Sequence, residues 1–135
     1  MNEKQSILCM QLAKMDSEQA ADWLMEKYPI GSMDYGEALL LIPHRSWKRS
    51  DQKRLARYYF RKLPFASARG YEAFASFMST GHLLDCVKER LPMSDSNTDL
   101  LLYHMIPVLN RFAKNDSDRK IIAEFIDELN LSYFR

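Results

Sequence analysis

Glycine is scarce in this chain, with 4 in 135 residues, and runs of β-branched residues are absent. Both scarcities argue against strands and the tight hairpin turns that join them. No apolar run approaches the ~18 residues that suggest a membrane span. The N-terminal stretch MNEKQSILCMQLAKMDSEQ lacks the long apolar core and small-residue cleavage site of a signal peptide. Cysteine is nearly missing, and both copies, Cys9 and Cys86, fall at periodic apolar positions. They read as buried free thiols rather than a disulfide. These absences together predict a cytoplasmic protein.

The chemistry-bearing patterns are missing as well. His44, His82 and His104 are scattered, and none has a partner three or four residues on that would make a metal pair on a helix. There is no CxxC, no HExxH, no glycine-rich phosphate loop and no recognised nucleophile motif. Neighbouring carboxylates such as Asp127 and Glu128 fit a solvated helix face. The expectation is a protein without catalysis, cofactor or bound metal, whose function is binding.

What is present is an ordinary globular composition, 47% hydrophobic and 27% charged. The length of 135 residues suits one domain, residues 1–135. A chain of this size buries roughly 68% of its unfolded surface. The periodicity is helical throughout. Near 3–14, Leu8, Leu12 and Met15 share a stripe. Asp16 with Gln19 forms a capping-box pattern ahead of a helix burying Ala20, Leu24 and Tyr28. Ser32 opens a third helix, to about Ile42, despite Gly36 inside it. From Ser50 to Leu63 the apolar Leu55, Tyr59 and Leu63 recur every four residues, and Pro64 ends the run. Ser67 is positioned to cap a fifth helix with Tyr71, Phe74 and Met78 on one face. A sixth is expected over about His82–Arg90. PMSDS, at 92–96, reads as a loop. A seventh spans about Thr98–Lys114 and contains Pro107, which should kink it. An eighth over 118–129 aligns Ile121, Ile122, Phe125, Ile126 and Leu129. The tail ends in Tyr133 and Phe134, which either pack or fray. The fold class is therefore all-α: about eight helices in antiparallel hairpins, as a bundle or a short stack of pairs.

Charge is unevenly placed. Net charge is −4 over 1–44, +7 over 45–90 and −2 over 91–135. Lys53, Arg54, Arg57 and Arg61 fall on one side of the fourth helix as a basic stripe. Acids concentrate earlier, at Asp16, Glu18, Asp22, Glu26, Asp34 and Glu37, with Trp23 and Tyr35 beside them as possible anchors. One reading is a solvated face neutralised within the fold. The other is a contact surface for a partner of opposite charge. The low net charge of +1 and the lack of a reader motif disfavour nucleic acid, which stands third among the partners.

Two resemblances carry family expectations. The segment Leu40 to Met78, with LLIPHRSWKRSDQKRLARYYFRKLPFASARGYEAFASFM, resembles small helical bacterial proteins that confer immunity to toxins of contact-dependent inhibition and related polymorphic systems. The segment Trp23 to Leu91 also resembles a caspase-recruitment (CARD) death-fold domain. An acidic third helix is followed by a basic fourth, then RGYEAFASFMSTGHLLDCVKERL. Its departures are a short first helix and two additional helices over 98–129. Either resemblance implies a non-catalytic protein that binds another protein: a cognate toxin in the first case, a homotypic domain in the second. A nuclease toxin would present a basic cleft. The matching surface here would then be Asp16, Glu18, Asp22, Glu26, Asp34 and Glu37 with Trp23 or Tyr35. An acidic partner would meet the basic stripe instead.

Overall fold

A computed structural model describes residues 1–133, the last three by their backbone alone. It is all-helical, with eight α-helices and no strand among the described residues. These are α1 (Glu3–Ala13), α2 (Ser17–Lys27), α3 (Gly36–Leu41), α4 (Arg49–Tyr59), α5 (Arg69–Ala75), α6 (Thr80–Lys88), α7 (Asp95–Phe112) and α8 (Asp116–Tyr133). Single 3₁₀ turns follow α3 at Ile42–His44 and α4 at Phe60–Lys62. No helix is long and apolar enough to cross a membrane among the described residues.

The helices form two rows. α1 packs on α3, α3 on α5, and α5 on α7. In the other row α2 packs on α4, α4 on α6, and α6 on α8. Hairpin partners close the rows on each other, as α5 with α6 and α7 with α8. This is a short stack of four helix pairs. One apolar cluster runs through it from Leu12 to Phe125, so α7 and α8 share the core of the preceding helices. Leu55, Tyr59, Phe74, Leu84 and Phe125 are buried as expected, whereas Ile126 is only half-buried. Cys86 is buried, Cys9 half-buried, and both are free thiols.

Several boundaries differ from the sequence reading. Ser32 does not open α3; its hydroxyl turns to the Asp34 carboxylate and shapes a turn instead. α3 begins only at Gly36, and no side chain caps it. Ser67 likewise fails to cap α5, taking only the Arg69 amide at 3.4 Å. Ser94, within the expected loop, caps α7 by accepting from the Asn97 amide, so that helix starts three residues early. Tyr133 continues α8, and Phe134 lies outside the described residues.

Polar groups in the core tie neighbouring pairs together. The Arg45 guanidinium donates to the Leu12 carbonyl at 2.7 Å and the Met15 carbonyl at 3.0 Å, closing the C-terminal end of α1. It also stacks on Trp47, whose indole N–H donates to the Ile42 carbonyl. At the corner between α4 and α5, Phe60 meets Phe65 and Phe74 edge to face, and Tyr71 packs tilted against Phe65.

Candidate protein-binding site

The acidic candidates sit on two separate elements. α2 carries Asp16 as its N-cap, where the carboxylate accepts from the Gln19 amide at 2.8 Å and the Gln19 side chain returns to the Asp16 amide. Glu18, Asp22 and Glu26 follow at intervals of four, so they line one exposed stripe. Asp34, Tyr35 and Glu37 instead occupy the turn into α3 and its first residues. All six acids are exposed, and the two aromatic anchors are half-buried. Trp23 packs against the core with the Lys27 ammonium 5.5 Å from its ring. The Lys62 ammonium lies 5.2 Å from the Tyr35 ring.

The basic stripe does not stay together either. Arg54 turns towards α2 and pairs with Asp22, while its other nitrogen donates to Asp51 at 2.9 Å. Arg57 turns towards α6 and grips Glu89 through Nε and Nη2 at 3.0–3.1 Å. Lys88 meets Glu128 of α8 at 3.9 Å. Lys53 is half-buried, and the Arg61 guanidinium lies 5.5 Å from the Tyr58 ring. One ion pair thus bridges each successive step of this row: α2 to α4, α4 to α6, α6 to α8. Much of the segregated charge is answered inside the fold. The side chains in these three bridges are at least 40% exposed, so each bridge adds little stability and is screened by salt.

Asp51 is the exception. It is buried, at 3% exposure, where α2 and α4 begin. Burial alone would raise its carboxyl. Hydrogen bonds with Ser17 and Arg54, and the charges of Arg54 and Lys48, outweigh that and hold it below the ordinary carboxylate range. Ser17 also accepts from the Lys48 amide at 3.0 Å, so this hub fixes α4 against α2. Asp16, Glu18 and Lys48 line the polar cleft above it.

No protein-family model, curated protein or solved structure matches this chain.

After internal pairing, Glu18 and Glu26 remain on α2 with no ion-pair partner among the described residues. Asp34 and Glu37 also lack an ion pair; Glu37 meets only the Gln5 amide nitrogen, at 3.5 Å. The histidines are dispersed: His44 is exposed, while His82 and His104 are half-buried. Among the described residues, no group of three or more His, Cys, Asp or Glu is placed to hold a metal ion.

Sequence reasoning missed three contributors. Glu89 engages Arg57 across 32 residues of sequence, a separation that no local pattern reveals. Asp51 read as one acid in a basic run. Met33, fully exposed beside Asp34, carried no periodic signal.

Proposed function

We propose that this chain is a non-catalytic, protein-binding helical stack, and specifically an immunity protein that neutralises a cognate toxin by direct binding. The observation that carries the reading is the α2 stripe, where Glu18 and Glu26 stay exposed and unpaired beside the half-buried Trp23. In a fold that answers part of its segregated charge with internal bridges, a residual acidic stripe beside an indole suits a basic partner surface. Nuclease toxins present such surfaces because their substrates are polyanions. Opposite charge would speed encounter, and an aromatic anchor would supply affinity.

The test is co-expression with candidate nuclease toxin domains of the source genome, together with stopped-flow association kinetics. The wild-type chain should protect the host and bind one such domain. Glu18→Lys with Glu26→Lys should slow association at least tenfold, flatten its salt dependence and leave the melting temperature nearly unchanged. An unaltered association rate in that variant would remove α2 as the contact. Self-association of the chain without protection would favour the homotypic adaptor instead.

A further inference from the structure

A groove of about 350 Å³ opens between the start of α3 and the segment that leads into α5. Tyr35, Gly36 and Leu40 line one wall, and Phe65 and Arg69 line the other. The glycines at its two sides differ in kind. A Cβ on Gly70 would fall 2.5 Å from the Phe65 ring, so packing demands glycine there. A Cβ on Gly36 would meet nothing within 4 Å, and no glycine of the chain has a positive φ. Gly36 opens α3, and neither backbone conformation nor internal packing asks for glycine there. What its bareness does is keep the groove open for close approach of another backbone.

The charges along the groove do not pair with each other, and the Asp34 carboxylate accepts from the Ser32 hydroxyl. Asp34 and Glu37 lie on the α3 side and Arg69 on the α5 side, all exposed, with no ion pair between them. The negative field reaches the nearby Tyr28 phenol. Burial raises that phenol most, and Glu37 and Asp34 raise it further. Met33 at the mouth is fully solvent-exposed and offers a flexible apolar contact.

We propose that this groove receives an extended segment of a partner protein, laid over Gly36, with a lysine or arginine against Asp34 and Glu37 and an acidic side chain against Arg69. The proposal rests on the protein-binding reading but uses a surface other than the α2 stripe.

The test is a ¹⁵N NMR titration with the synthetic peptide acetyl-Gly-Lys-Leu-Glu-Gly-amide. Saturable shifts should be confined to amides 33–40 and 65–70. Gly36→Leu should abolish them without lowering the melting temperature, because its Cβ has free space. Asp34→Lys with Glu37→Lys should weaken binding at least tenfold. Glu18→Lys with Glu26→Lys should leave it unchanged. The absence of saturable shifts in the wild type, undiminished binding to the Gly36→Leu variant, or shifts centred on α2 would each overturn the proposal. Peptide binding without toxin binding would retain the groove and discard the immunity reading. Toxin binding without peptide binding would do the reverse.

Discussion

The Tyr59 hydroxyl on α4 donates to the Tyr28 carbonyl at 2.9 Å, and the Leu24 carbonyl shares the same proton at 3.2 Å. Tyr59 is fully buried; the Leu24 carbonyl also accepts from the Tyr28 amide at 2.8 Å, whereas the Tyr28 carbonyl, at the C-cap of α2, lies beyond the helical ladder. Its neighbour Tyr58 acts on the same corner from outside, its hydroxyl accepting from the Ile30 amide at 3.0 Å. Two consecutive tyrosines thus fasten the end of one helix pair to the next.

Tyr59→Phe should destabilise the chain by about 1–3 kcal/mol, the range for leaving a buried polar group unsatisfied. Tyr58→Phe should cost less, since that side chain is half-buried and water can replace it. Urea denaturation of the two variants gives the comparison. Equal losses would mean that burial does not separate the two roles.

The buried phenols also predict an alkaline limit. Burial raises Tyr59 far above its ordinary value, and it pushes Tyr71 up to about 12. The unfolded chain ionises these groups near 10, so their contribution is complete below that pH and declines as pH rises towards the folded-state values. Thermal melts between pH 9 and 12 should show stability falling, less steeply for Tyr71→Phe. Asp51 acts with the opposite sign. Its lowered carboxyl contributes above its unfolded value, about 3.9, and that contribution disappears as pH drops through the folded one. Asp51→Asn should lower stability at pH 7 by roughly 1–3 kcal/mol and flatten the acid limb below about pH 4.

Two alanine substitutions should have opposite effects. Gly36→Ala meets free space at the first residue of α3 and should stabilise by less than the interior value of about 1 kcal/mol. Gly70→Ala forces the Phe65 ring aside and should destabilise by about 1–3 kcal/mol. Calorimetric melting of both proteins checks the signs.

Phe125→Ala should cost about 3–5 kcal/mol, the range for emptying a packed aromatic site. The side chain is 2% exposed on the face of α8 that enters the shared core. A loss below about 1 kcal/mol in chemical denaturation would mean that the site collapses on truncation.

Helix existence and the buried faces were readable because apolar residues repeat at the helical period. Leu55 with Tyr59 on α4, and Ile122 with Phe125 on α8, declare their inner sides without tertiary information. Helix starts were less readable, because serine offers the same hydroxyl to a turn or to a cap. Ser94 caps, Ser32 turns, and their neighbours in sequence do not distinguish them. The two-row arrangement was open because it depends on which flank of each helix meets the helix after next. The basic stripe of α4 was legible as a stripe. That Arg54 leans to α2 and Arg57 to α6 follows only once those neighbours are in place. The groove at Gly36 left one trace in the sequence, a glycine inside an otherwise helical pattern.

Among the first three helix pairs several contacts recur at a nearly fixed distance along the chain, whereas the α6–α8 bridge from Lys88 to Glu128 spans 40 residues. Gln5 to Glu37, Asp22 to Arg54 and Arg57 to Glu89 each span 32 residues, and Ser17 to Lys48 spans 31. Length is therefore separable from architecture in this fold. A helix pair inserted in register would lengthen both rows without rerouting any existing segment.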